Sequence, residues 1–263
     1  MAININFLSR AYFYFDKPVD YNLGDKILKI YPVSLEDSEI FLASMDILTV
    51  DKNSIPSVEI IQMSYLQFIL NVLLAQNPLN TQKMINILTI CLKFKNFGIK
   101  DYKGKPCIYD KDLDCTITSK QFDDIKRIIL YQNLLHYDDS YINPDAKKAM
   151  DEIDLLKNQD YENISLERRI AIITAHCGLA KKEQLAMTFR SHSLLFEEVC
   201  SEVDFETVRP ISLYACMQSK KNQEIEHWIY RKKKNKFNKY FVSDKDYNKN
   251  MGGDGNIAIT KKA

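Results

Sequence analysis

From Ser57 to Gln76 the chain is apolar at nearly every turn of a helix, through Val58, Ile60, Ile61, Tyr65, Leu66, Phe68, Ile69, Val72 and Leu73. A helix that is apolar all round has no face to give to water, so the rest of the fold has to enclose it. Gln62, Gln67 and Asn71 interrupt the run, and no apolar stretch reaches the ~20 residues that span a bilayer. The expectation is a central core helix, with Asn77-Pro78 ending it and Asn80 capping the next helix through Leu92.

Such a helix needs partners, and the chain has the means to build them. Of 263 residues 46% are hydrophobic, while Gly and Pro number only 7 each, which favours helices over a turn-rich β fold. Basic and acidic residues, 36 and 35, nearly cancel, so no global field steers nucleic acid or an acidic substrate. Six cysteines lack any C-x-x-C pair, and MAININFLSR lacks the charged-then-apolar pattern of a signal peptide; free thiols in a reducing compartment are expected.

Residues 1 to about 33, with Tyr12-Phe13-Tyr14-Phe15 and Ile27, Leu28 and Ile30 about an Asn22 to Asp25 turn, read as two or three short strands. Ser34 with Asp37 reads as a helix start running to Thr49. Residues 97–117 read as a small β insertion about Lys103-Gly104, able to pair with the N-terminal strands. Between Ser119 and Met217 come short amphipathic helices, started by Ser119, Asn143-Pro144, Ser165 and Thr188, stopped by Gly178, and begun again or kinked at Pro210. Leu195, Phe196, Val199 and Val203 are expected to face inward. The fold class predicted is mainly α with a minor β component, α+β, a bundle-like body with short N-terminal and central strands. One domain covers 1–242 and a flexible tail covers 243–263.

Chemistry is sparse. His176, Cys177, His192, Cys200 and Cys216 could hold a metal only if the fold gathered them; adjacent helix residues such as His176 and Cys177 point about 100° apart. Cys177 and Cys200 fall late in their expected helices, the end that disfavours a thiolate. Asp123-Asp124 and Asp138-Asp139 are carboxylate pairs without the further acidic residue and lysine that would sharpen a Mg²⁺ site, and the first pair suits the first turn of a helix. Gly252-Gly253-Asp254-Gly255 lacks the strand and helix a phosphate loop needs. No catalytic, cofactor or metal site is expected.

Two features suit nucleic acid. A helix-turn-helix near 166–187 would offer Lys181, Lys182 and Gln184. The run Arg231, Lys232, Lys233, Lys234, Lys236 and Lys239 interleaves with Phe237, Tyr240 and Phe241. The same run also suits a solvated helix end or an acidic protein partner.

Tyr137-Asp138-Asp139, Tyr141-Ile142-Asn143-Pro144, Ser165-Leu166-Glu167, Met187-Thr188-Phe189-Arg190 and Glu226-His227-Trp228-Ile229 resemble blocks in proteins of the tail modules of large tailed phages. Those are tail or baseplate assembly factors, often labelled tail assembly chaperones. The resemblance runs from about 115 to 230 and its blocks cover under half of the chain. It implies a non-enzymatic bacteriophage morphogenesis protein, made in the bacterial host cytoplasm, with incorporation into the virion tail left open. Its partners would be other phage tail or baseplate proteins, with nucleic acid as the alternative and no membrane. Trp228, Tyr230, Arg231, Lys232, Lys233, Lys234 and Lys236 are the candidate partner-binding residues. Phe189, Phe196 and Tyr214 are further candidates for which core packing is the first reading.

Overall fold

The computed structural model describes residues 3–140, 143–158, 164–219 and 229. The chain is mostly helical with small antiparallel sheets, an α+β fold. It divides into two units, Met1–Ser140 with Ile164–Val203, and Tyr141–Asn163 with Asp204–Ala263. The expected tail, 243–263, lies outside the described residues.

The N-terminal stretch corrects the first expectation. Asn4 accepts the amide of Phe7 and starts helix α1, Ile5–Ala11, followed by a 3₁₀ turn over Phe13–Phe15. An aromatic run without clear alternation forms a helix as readily as a strand once a capping Asn precedes it. The expected hairpin does form next. β1, Val19–Asn22, pairs antiparallel with β2, Ile27–Ile30, and the Asn22 side chain accepts from the Gly24 amide in the turn.

Ser34 and Asp37 bond to each other as expected, but the helix α2 starts later, at Ser38–Ser44, with α3 at Asp46–Thr49. Ser34 itself is in a β-bridge with Thr188. The Leu35 amide donates to Met187 O and the Phe189 amide to Val33 O, at 2.9 and 2.8 Å.

The apolar run is not one helix. It forms α4, Val58–Gln62, breaks at Met63-Ser64, and resumes as α5, Tyr65–Phe68, a π-helical stretch Ile69–Leu73, and α6, Leu74–Gln76. Ser64 makes a reciprocal capping box with Gln67, which competes with continuation of α4. Burial splits accordingly: Leu66, Phe68 and Ile69 are fully buried, while Val58 leaves 70% of its surface in water. α7, Leu79–Leu92, follows. Asn80 does not cap it: Pro78 stands at the cap position, the Asn77 side chain before it accepts the Leu79 amide, and the Asn80 side chain donates to Leu73 O.

β3, Phe97–Tyr102, β4, Lys105–Asp110, and β5, Cys115–Thr118, form their own meander and do not pair with β1 or β2. Lys103 and Gly104 both have positive φ, the two-residue turn whose twist matches a hairpin. Lys26 Nζ, in the β1–β2 turn, pairs with Asp114, in the β4–β5 turn, at 2.8 Å.

Thr118 caps α8, Ser119–Asn133, through a capping box with Gln121. Asp123 and Asp124 therefore stand in the second turn rather than the first. α9, Pro144–Asn158, begins at Asn143-Pro144 as expected, with Asn143 accepting from the Asp145 amide. α10, Leu166–Cys177, starts at Ser165 and stops at Gly178, whose φ of 72° only glycine holds without strain. α11 is Lys181–Leu185, and Thr188 caps α12, Phe189–Ser219, by accepting the Ser191 amide. Pro210 lies inside α12, which runs through it without starting anew. Phe196 and Val199 face the core, but Val203 is exposed. Among the described residues no helix is long and apolar enough to cross a membrane.

The core of the first unit gathers Phe41, Leu66, Phe68, Ile87, Leu88, Ile30, Ile117, Ile125 and Leu130 from helices and both sheets. The buried Asn133 side chain is held at both ends: its Oδ1 accepts the Val33 amide at 2.8 Å and its Nδ2 donates to Ile129 O at 2.8 Å.

Candidate functional site

Trp228, Tyr230, Arg231, Lys232, Lys233, Lys234 and Lys236, with the rest of the basic run, lie outside the described residues. Phe189 and Phe196 are buried and belong to packing, while Tyr214 is exposed. Other rings as open to water as Tyr214 are ones the sequence pattern placed in strands. Phe7, Tyr14 and Phe15 leave 62, 67 and 62% of their surfaces exposed, on α1 and the turn after it. The signal was available in Tyr12-Phe13-Tyr14-Phe15: one short element cannot bury four consecutive rings, and only Phe13 is buried.

The helix–Gly–helix corner is a structural joint. Gln184 is fully buried, and its Nε2 lies 3.2, 2.9 and 3.0 Å from Ile170 O, Thr174 Oγ1 and Leu179 O. That commits the expected base contact to the corner itself. Lys181 and Lys182 are exposed, but α11 is only five residues long and Glu183 turns back to cap the Ala180 amide.

The other constellations are dispersed. His176 pairs with Glu202 and His192 with Gln184. Cys177 is exposed and Cys200 half-buried; with α12 running on to Ser219, Cys200 is not late in its helix. Cys216 has no described side chain. Among the described residues no three His, Cys, Asp or Glu side chains cluster as a metal site would require. The carboxylate pairs divide their work: Asp124 accepts from Tyr21 Oη at 2.9 Å, Asp139 binds Arg127 and Tyr131, and Asp123 faces a cleft.

That cleft, of about 410 Å³, lies where the β3–β4 turn approaches the start of α8 and Ser64. Tyr102, Lys103 and Lys105 come from the hairpin tip, and Lys120 and Asp123 from α8. Lys103 Nζ is 5.3 Å from the Tyr102 ring centroid. Asp123 Oδ1 is buried without a hydrogen-bond partner among the described residues. Comparison with protein-family models, with curated proteins and with solved structures finds no match.

Beside the cleft, burial raises the Asp123 carboxyl above the ordinary carboxylate range, against the pull of Lys126, Lys52 and the Tyr65 backbone amide. One turn on, Lys126 Nζ sits 3.5 Å from the Tyr65 ring centroid. Burial pushes its ammonium down to about 8, although Asp123 and Asp139 oppose this. The sign of the linkage follows. Between about 8 and the unfolded value near 10.5, the unfolded chain holds a proton that the native Lys126 has lost, so this group makes stability rise with pH across that window. Unfolding of Lys126→Met beside the natural chain at pH 7.5 to 10 tests it. The natural chain should gain on the variant as pH rises, and a constant difference would show Lys126 charged as in water.

Proposed function

We propose that this protein is a non-enzymatic phage assembly factor that acts in tail or baseplate formation through protein–protein contacts. One observation carries the contact reading: Phe7, Tyr14 and Phe15 stand together in sequence at the N-terminal end of a well-packed unit and remain more than half exposed. Covering one such ring contributes roughly 1.5–3 kcal/mol, and aromatic side chains are enriched where partners meet. The resemblance of the blocks between 115 and 230 supplies the setting.

The test is affinity capture from infected or lysogenic cells, with and without nuclease, using the natural chain and a variant carrying Phe7→Ser, Tyr14→Ser and Phe15→Ser. Tail-tube, baseplate or tape-measure proteins should survive nuclease and be lost at least tenfold with the variant. Recovery of nothing but nucleic-acid-associated proteins, released by nuclease, would reject the reading in favour of nucleic-acid binding through the basic run. Retention of the same partners by the variant would move the contact away from these rings.

A further inference from the structure

β3 is an edge strand: the meander runs β3-β4-β5, and among the described residues no strand lies on the outer side of β3. The Lys111 amide donates to Asn96 O at 3.0 Å, so Asn96–Lys111 is a hydrogen-bonding pair at the open end of the β3–β4 ladder. Alternation then makes Gly98–Tyr109, Lys100–Cys107 and Tyr102–Lys105 hydrogen-bonding pairs too, and turns the N–H and C=O of Phe97, Ile99 and Asp101 outward. Among the described residues no backbone group meets those outward ones. Edges are commonly blunted by a proline, a bulge or a lysine. β3 has no proline, and its register with β4 is unbroken from Phe97 to Tyr102. Its one lysine, Lys100, lies back over the Tyr109 ring, 3.4 Å from the centroid. The core layer under the sheet also stops short of this edge. Ile99 shares a face with Ile108 and Ile117, which are 1% and 0% exposed, yet it leaves 58% of its own surface in water.

We propose that β3 pairs with β3 of a second copy of this chain, antiparallel, across a two-fold axis at Gly98. Residues with outward backbone groups must oppose one another, so the axis passes through a residue and not between two. An axis at Ile99, Lys100 or Asp101 would set Lys95 against Lys103, Lys100 against itself or Asp101 against itself, and an axis at Phe97 leaves most of β3 unpaired. With the axis at Gly98, Phe97 of each copy opposes Ile99 of the other, an aromatic and a β-branched side chain, and the two exchange backbone hydrogen bonds. Just before β3, Lys95 comes opposite Asp101, an opposite-charge pair made twice. Gly98 meets Gly98 in the closely spaced kind of pair, with Cα atoms about 4.5 Å apart. Nothing within one chain requires a glycine there: its φ is not positive, and no atom lies within 4 Å of where a Cβ would stand. Close approach of a second backbone does call for one. This pairing does not depend on the assembly role and uses none of the residues assigned to it.

A pair of short strands is a small interface, so the dimer is read by sedimentation velocity of the purified full chain over a series from micromolar to millimolar concentration. A monomer–dimer equilibrium is expected. Ile99→Pro removes an outward donor and leaves the ladder to β4 intact, so it should raise the dissociation constant about tenfold or more with the circular dichroism unchanged. Lys95→Asp should weaken the dimer severalfold by facing Asp101 with a like charge, and adding Asp101→Lys should restore it. Gly98→Cys, in a chain with Cys177→Ser and Cys216→Ser, should form a covalent dimer with oxidised glutathione, because cysteines opposed at the axis lie within disulfide reach. Lys100→Cys in the same background should not, since Lys100 lies opposite Asn96 in this register. The proposal is overturned by a monomer throughout the series, by a dimer as tight with Ile99→Pro as without it, or by Gly98→Cys cross-linking no better than Lys100→Cys.

Discussion

Replacing Phe41 by alanine is expected to remove about 3–5 kcal/mol of stability, a third or more of what a typical domain has. Phe41 is fully buried in α2, within the cluster that includes Phe68, Ile87 and Leu88. Two terms add. The ring loses its transfer from water, and the space it leaves is walled by side chains of α7 and its neighbours that already have their own contacts. In urea the midpoint should fall with the slope unchanged, because the surface exposed on unfolding is nearly the same. Phe41→Leu should recover most of the loss. If Phe41→Ala unfolded at the same midpoint as the natural chain, the site would be able to collapse, and the packing described for α2 on α7 would be wrong.

The second large effect is at Gln184. Gln184→Leu keeps the volume roughly and removes every polar contact. The Ile170 carbonyl and the Thr174 hydroxyl lose their donor, and His192 Nε2, 3.2 Å from Gln184 Oε1, loses its acceptor. The Leu179 carbonyl keeps the Thr174 hydroxyl at 3.0 Å. The amide orientation follows from this network, since three oxygens surround Nε2 and the remaining oxygen must take the imidazole N–H. The Thr174 hydroxyl still has Leu179 O and the Ile170 carbonyl still has its helix amide, so the one buried group left without a partner is the His192 imidazole; such a group costs about 1–3 kcal/mol, which is the loss expected. Amide exchange should quicken in α10 and α11 before it does in β3–β5, because the corner joins α10 to α12 only locally. Uniform quickening across the first unit would mean that the corner is integral to the whole core.

Helix punctuation was legible wherever one residue bonds to another two or three places on. Ser165, Thr188 and Asn143 accept from the amides of Arg168, Ser191 and Asp145, and Gly178 takes the left-handed conformation. The β3–β4 hairpin was legible for the same reason, with Lys103-Gly104 as a two-residue turn. The break at Met63-Ser64 was written in Ser64-x-x-Gln67, but the apolar residues on either side make an unbroken helix the simpler reading. Residues 5–15 were misread because four adjacent aromatics carry no period. The bridge between 33–35 and 187–189 and the cleft of Lys103, Lys105, Lys120 and Asp123 join distant segments, and no local pattern encodes them. Of the seven residues singled out for partner contact, none lies among those described.

The Asp16 carboxylate accepts from the hydroxyls of Thr188 and Ser191, and next to it Val33 and Leu35 exchange backbone hydrogen bonds with Phe189 and Met187. The N-terminal segment is thus clasped by residues made some 175 positions later. At about 5–20 residues per second of synthesis, Asp16 emerges roughly 9–35 s before its partners exist. During that interval the strand-like stretch at 33–35 has exposed pairing groups and the Asp16 carboxylate lacks its hydroxyl partners. Nascent chains of this protein should therefore be most prone to associate with one another just before Thr188 is added, and a gene truncated near 185 should yield aggregate where one ending after Val203 yields dispersed protein.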